Sequence, residues 1–281
     1  RTLPAAVAPV LVGTAAAHLL GAADVALAIL ALLVSVSLQV GVNYANDYSD
    51  GVRGTDEDRV GPVRLVGQRL AQPANVKLAA FAFFGAAGLA GLALVGLSQA
   101  WVMLPLGVLA VLAAWRYTGG TNPYGYRGLG EVYVFAFFGL MATLGTLYTQ
   151  ALSLTWFGLA GAVGVGAVAS AILVANNLRD IPTDVEHGKG TLAVRLGDRR
   201  TRVLYVALLG VSLVALAVMA FSAPWALLAL LSLPVAVRGA RVVLGGAVGR
   251  DLVPVLVATG LYEVGYAVLV TVGVIVGVAL A

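Results

Sequence analysis

Residues 161–175 read GAVGVGAVASAILVA, and residues 176–197 continue NNLRDIPTDVEHGKGTLAVRLG. The first stretch carries no charge. The second holds three acids, three basic residues and a pair of asparagines. An uncharged run of small and branched residues that ends abruptly in charge reads as a membrane helix delivering its end to an aqueous face. The same contrast recurs along the chain.

Of the 281 residues, 60% are hydrophobic and only 11% charged, and the mean hydropathy is +0.97. A soluble domain carries roughly twice that charged fraction. Apolar runs close to the length needed to cross a bilayer fill the chain, so the expected class is all-α and polytopic. With no cysteine, disulfides, thiolate metal sites and cysteine nucleophiles are excluded. His18 and His187 are the two histidines, too few for a histidine-rich metal site. No cleavable signal peptide is expected, because TLPAAVAPVLVGTAAAHLL follows a single arginine.

Hydropathy predicts nine spans at about 3–20, 25–46, 74–97, 100–116, 129–148, 154–178, 203–221, 224–238 and 253–280, in one domain covering 1–281. The connections GAAD (21–24), LSQA (97–100), TQALS (149–153) and FSAP (221–224) carry no Lys or Arg. Those at 47–73, 116–128, 179–202 and 238–252 are long and basic. With Arg1, this arrangement puts all seventeen Lys and Arg on one face. The positive-inside rule makes that face and the N-terminus cytoplasmic. Topology thus accounts for the net charge of +4, with no call for a nucleic-acid partner.

Two acidic clusters stand at that face. NYANDYSDGVRGTDEDR (43–59) follows the second span, and Asp180, Asp184 and Glu186 follow the sixth. If the second helix continues, Asn43, Asn46, Asp47 and Asp50 lie on one stripe. Asp180 and Asp184 have the same four-residue relation, with Pro182 expected to end or bend that helix near Asp180. Converging carboxylates at the mouth of a bundle require cations among them. Arg53, Arg179 and Lys189 are near in sequence, and a hard divalent ion is the other candidate. Mg²⁺ takes oxygen ligands and is typically shared between one or two carboxylates and substrate phosphates. No G-x-x-x-x-G-K-[ST] phosphate loop is present. Glu263, inside the ninth span, is expected to face the interior, paired with an arginine or holding a substrate. Glu131 opens the fifth span and suits the positive end of its dipole, or a site role.

NDYSDGVRGTD and DIPTDVEHGKGTLAVRLG resemble the two aspartate-rich motifs of the UbiA superfamily of intramembrane aromatic prenyltransferases. RTLPAAVAPVLVG, RVGPVRLVGQRL and YTGGTNPYGYRGLGE extend the resemblance along nearly the whole chain. In the first motif Asn46, Asp47 and Asp50 match, Gly54 stands at the third acidic position and Asp56 follows two residues later. That spacing, with Asn43 and GLGE, is similar to the menaquinone-pathway branch, which prenylates 1,4-dihydroxy-2-naphthoate. Asp180 and Asp184 meet the second motif, followed by Lys189 and Thr191.

The resemblance implies nine helices around a central cavity and a bacterial inner-membrane enzyme with cytoplasmic site loops. It further implies transfer from a polyprenyl diphosphate to 1,4-dihydroxy-2-naphthoate, the prenyl tail lying among membrane lipid. On this reading Asp47, Asp50, Asp56, Asp180 and Asp184 hold Mg²⁺, or Mn²⁺ in its place. Lys189, Arg53, Arg127 and Arg179 meet the diphosphate. Asn43, Asn46, Asn176 and Asn177 orient metal or substrate, and Tyr117, Tyr124 and Tyr126 face an allylic cation with ring electrons. Two alternatives stay open: a relative acting on another aromatic such as 4-hydroxybenzoate, and an ion-coupled transporter.

Overall fold

The computed structural model describes residues 2–54 and 63–281. Its helices are α1 (Pro4–Leu19), α2 (Val25–Val52), α3 (Pro73–Ser98), α4 (Met103–Arg116), α5 (Gly130–Val134), α6 (Ala142–Ala151), α7 (Trp156–Glu186), α8 (Leu192–Ala220), α9 (Leu233–Leu244) and α10 (Val253–Ala279). A π-helical segment, Phe135–Met141, joins α5 to α6, and 3₁₀ segments lead into α9 and α10. Among the described residues, seven segments are long and apolar enough to cross a membrane, and α1 and α4 are shorter apolar helices. These are the nine elements that hydropathy locates. The protein is a multi-pass membrane protein.

Several helices start at side-chain caps, as unpaired N–H groups require. Asp24 accepts from Leu27 N at 2.9 Å, and Thr155 accepts from Gly158 N at 3.0 Å. The helices that carry the motifs run past their apolar limits. α2 continues beyond residue 46 to Val52, and Gly54, at φ +75°, turns the chain away. α7 does not end at Asp180; it contains Pro182 and reaches Glu186. Proline removes one donor from the ladder, and the Thr183 hydroxyl bonds the Asp180 carbonyl at 3.0 Å beside that gap. α8 begins at Leu192, ahead of the expected 203, and breaks at Gly197 (φ 73°).

α7 is the central helix, buried along most of its length. Its glycines make that possible. A Cβ at Gly161 would lie 2.5 Å from the Val12 side chain, and one at Gly164 would lie 2.7 Å from the Tyr266 hydroxyl. At the crossing with the π segment backbone meets backbone: a Cβ on Gly139 would lie 2.5 Å from the Cα of Gly166. Small residues let backbones approach where lipid supplies no hydrophobic force between helices. One core joins α1, α7, α8 and α10, and a smaller cluster joins α2, α3 and α4. Glu263 faces the interior as expected, 1% exposed. It has no arginine: neither carboxylate oxygen has a hydrogen-bond partner among the described residues.

The crossing yields a test. Gly139→Ala is expected to cost about 1–3 kcal/mol by overpacking, read as a lower melting temperature in detergent. Gly85→Ala is the control, because nothing lies within 4 Å of its Cβ position; it should hold or raise the melting temperature.

Candidate active site

The long basic loops meet at one end of the bundle. The guanidinium of Arg53, just past α2, donates to the carbonyls of Thr118 and Gly120 and lies 5.2 Å from the Tyr126 ring centroid. Asp47 accepts from the backbone N–H of Leu65 at 2.8 Å and of Val66 at 3.0 Å. Both its oxygens therefore hold the 63–72 segment against α2. Asn46 Oδ1 accepts from the Thr118 hydroxyl at 2.8 Å. Asn43 donates to Thr2 Oγ1 at 3.0 Å and accepts from Gln39 at 3.3 Å.

Asp50 is the junction. Tyr126 donates to its Oδ1 at 2.6 Å, and Lys189 Nζ reaches its Oδ2 at 3.3 Å. Lys189 also stands 4.9 Å from the Tyr126 ring centroid. It is placed by the turn after α7, where Gly188 takes φ +68° and the Lys189 N–H bonds the Asp184 carbonyl at 2.8 Å. Asp184 accepts from Thr191 at 3.3 Å. One turn back, Arg179 grips Asp180 in a fork of 2.6 and 2.7 Å. Fork geometry makes such pairs the stronger kind of ion pair. Deeper still, Asn177 donates to Glu131 Oε1 at 2.9 Å.

A cavity of about 1050 Å³ opens among these groups. Asp47, Asp50, Asp180, Asp184 and Lys189 line its polar end. Asn43, Asn46, Asn176, Asn177 and Arg179 line it too, while α3, α4 and the π segment make the rest of the wall apolar. An aromatic row forms one side: Tyr117 meets Tyr124 edge-on at 5.4 Å, and Tyr124 stacks on Tyr133 at 3.8 Å. Phe137 continues the row at 6.0 Å. Burial, with Tyr133 adding to it, pushes the Tyr124 phenol well up, so it stays neutral.

Two of the expected residues stand outside the cavity lining. Arg127 is exposed and does not line the cavity, because Tyr124, Gly125 and Tyr126 take the inward positions of that turn. Arg53 is outside the lining as well, its guanidinium being committed to the two carbonyls. Asp56 lies outside the described residues. Sequence reasoning missed Thr118, Tyr133 and Phe137. Only the polar or aromatic character of the 117–138 stretch signalled them, and that fits lipid-facing positions equally well.

Among the described residues no three His, Cys, Asp or Glu side chains form a preformed metal cage. The acids are instead split between α2 and α7, each with a hydrogen-bonding partner. Such a set suits an ion carrying substrate phosphate ligands of its own: every donor is a hard oxygen, and Mg²⁺ needs only one or two carboxylates from protein.

The UbiA prenyltransferase family model matches residues 6–252. The chain belongs to this family. It is similar to the 1,4-dihydroxy-2-naphthoate octaprenyltransferase of Mycobacterium tuberculosis, with 56% identity over 93% of this chain and 89% of that one. The Escherichia coli protein of the same name is 40% identical over 91% and 84%. Among solved structures, the apo UbiA homolog from Aeropyrum pernix matches with TM-score 0.73 and 16% identity, over 96% of this chain and 97% of that one. A UbiA homolog from Archaeoglobus fulgidus bound to DMAPP and Mg²⁺ matches with TM-score 0.58 and 14% identity, over 97% of each. In this UbiA family member the two motifs sit at the ends of α2 and α7, facing one cavity.

The two amide bonds to Asp47 are testable. Asp47→Ala removes both acceptors, and hydrogen exchange at Leu65 and Val66 is expected to quicken about tenfold or more. Unchanged exchange would show that the segment is held by other contacts.

Proposed function

We propose that this protein is a Mg²⁺-dependent membrane enzyme that transfers a polyprenyl group from its diphosphate to 1,4-dihydroxy-2-naphthoate. CO₂ and diphosphate leave, giving demethylmenaquinone in its quinol form. The observation that carries the reading is the convergence of Asp50 and Lys189 with Asp180 and Asp184 at the polar end of one greasy cavity. Identity of 56% over nearly the whole chain to a relative named for this reaction supports the acceptor.

Breaking the allylic C–O bond puts negative charge on diphosphate and positive charge on the prenyl group. Lys189 supplies a cation where the diphosphate develops charge, and Arg179 adds a second cation, a guanidinium beside Asp180. Asn46, whose oxygen is taken by Thr118, offers amide hydrogens to phosphate oxygens. Asp50, Asp180 and Asp184 would hold Mg²⁺, or Mn²⁺ in its place, which would supply positive charge against the diphosphate. Asp47 serves by holding the 63–72 segment in place. The apolar wall keeps water from the allylic cation, and Tyr117, Tyr124 and Tyr133 turn ring electrons toward it. The ring carbon that carries the carboxylate bonds to the prenyl carbon, and loss of CO₂ returns an electron pair to the ring.

The basic end faces the cytoplasm of a bacterial inner membrane, and the single domain spans it with the prenyl tail among lipid. An ion-coupled transporter is disfavoured because both acidic clusters lie at one end of the bundle rather than at the midplane.

Purified protein given Mg²⁺, a polyprenyl diphosphate and both 1,4-dihydroxy-2-naphthoate and 4-hydroxybenzoate is expected to prenylate the naphthoate. Turnover of the benzoate alone would overturn the acceptor. Asp50→Ala and Asp180→Ala are each expected to lower turnover by about 100-fold or more while melting behaviour is kept. Near-normal activity in both variants would remove these residues from the metal site.

A further inference from the structure

Two asparagines face the cavity with opposite ends. Asn46 has its oxygen occupied by Thr118, which leaves its amide hydrogens for the cavity. Asn177 is turned the other way. Its Nδ2 donates to Glu131 Oε1 at 2.9 Å, and its oxygen accepts no hydrogen bond from the described residues. An ionised carboxylate only accepts, so in that state Glu131 holds the amide nitrogen toward itself and leaves the amide oxygen to the cavity.

Glu131 is an expensive residue to keep here. It is 7% exposed, at the start of an apolar span, and its Oε2 has no hydrogen-bond partner among the described residues. Among the described residues Asn177 is its side-chain partner, and its own backbone N–H is the other donor to the carboxyl group. The neighbouring contact between elements, from the Ser170 hydroxyl to the Glu131 carbonyl at 3.3 Å, uses backbone and does not need a carboxylate. A buried acid whose side-chain partner is a cavity-lining amide points to a task in the cavity.

The occupant that matches an inward amide oxygen is a donor. Diphosphate carries only acceptors and is repelled by it, whereas a phenolic hydroxyl is matched. Asn177 also lies three residues, about 4.5 Å of helical rise, further from the polar rim than Asp180, beyond the charges that hold the leaving group. We infer that Glu131 is a positioning residue that orients Asn177 so that its amide oxygen accepts a hydrogen bond from a ring hydroxyl of the aromatic acceptor. The inference rests on the prenyltransferase reading and adds to it a determinant of acceptor selection.

The test uses the full chain in detergent, with naphthoate binding followed by tryptophan fluorescence alongside steady-state turnover. Glu131→Ala is expected to raise Kd and KM for 1,4-dihydroxy-2-naphthoate about tenfold or more. The KM for prenyl diphosphate and the Mg²⁺ dependence should stay put. The wild-type protein should bind one of the two mono-O-methyl ethers of the naphthoate less well than the parent, and Glu131→Ala should lose that discrimination.

Asn177→Asp sets two carboxylates against each other and should weaken acceptor binding. Adding Glu131→Gln supplies a donor toward the new carboxylate, frees its other oxygen for the cavity, and should recover most of the affinity. That pair also decides the matter if Glu131→Ala does not fold. Unchanged naphthoate affinity, an equal loss toward prenyl diphosphate, a shifted Mg²⁺ dependence, or no recovery in the double variant would each overturn the inference. If the wild-type protein prenylates only 4-hydroxybenzoate, the naphthoate reading fails. The same variants titrated with the benzoate then decide the role of Glu131 separately.

Discussion

A carboxylate carried into the mouth of a lipid-embedded bundle loses water, and several kcal/mol with it, unless another group replaces what water supplied. The architecture of the polar end follows from that cost. Asp50 is met by Lys189 and Tyr126, Asp180 by Arg179, Asp184 by Thr191, and Asp47 by two backbone amides. Apart from Arg179, which α7 itself carries, these partners come from the loops after α2, α4 and α7. Satisfying the acids therefore also gathers the loops over one cavity. The same bonds that make the acids tolerable leave cations where a diphosphate would sit.

Packing decides where the charged ends arrive. α7 occupies the centre because Gly161, Gly164 and Gly166 let α1, α10 and the π segment approach its backbone. A central helix whose last turns carry Asp180 and Asp184 places those acids at the axis. The π segment has a second consequence. It sits on the crossing of Gly139 with Gly166, directly after Tyr133 in the aromatic row. π segments often accompany functional sites, where the extra residue re-aims neighbouring side chains.

Asn46 and Asn177 show how one residue type does two jobs. Each amide has a donor end and an acceptor end, and the protein decides which one the cavity meets by occupying the other. Thr118 takes the oxygen of Asn46, and Glu131 takes the nitrogen of Asn177. The proposed occupants, an anionic head and a phenolic ring, would need both polarities, separated along the cavity's depth.

Much of this was legible in the amino-acid sequence. Apolar length dictated nine helical elements, and the segregation of all seventeen cations dictated which loops share a face. The spacing of Asn43, Asn46, Asp47 and Asp50 dictated a polar stripe, because helical geometry admits no other arrangement of those positions. The outcome for Asp47, Arg53 and Arg127 was not legible. An acid or arginine in a motif loop has the same local signature whether it faces a substrate, holds a backbone amide or faces solvent, and only the packing of distant segments chooses. The same holds for the passage of α7 through Pro182, where a nearby hydroxyl bond accompanies the missing donor. It holds too for Glu131 and Asn177, forty-six residues apart, whose pairing exists only once α5 lies against α7. Sequence by itself determines periodicity and charge placement, which are local; the direction in which each polar group spends its hydrogen bonds is a tertiary decision, because its partners come from elsewhere in the chain.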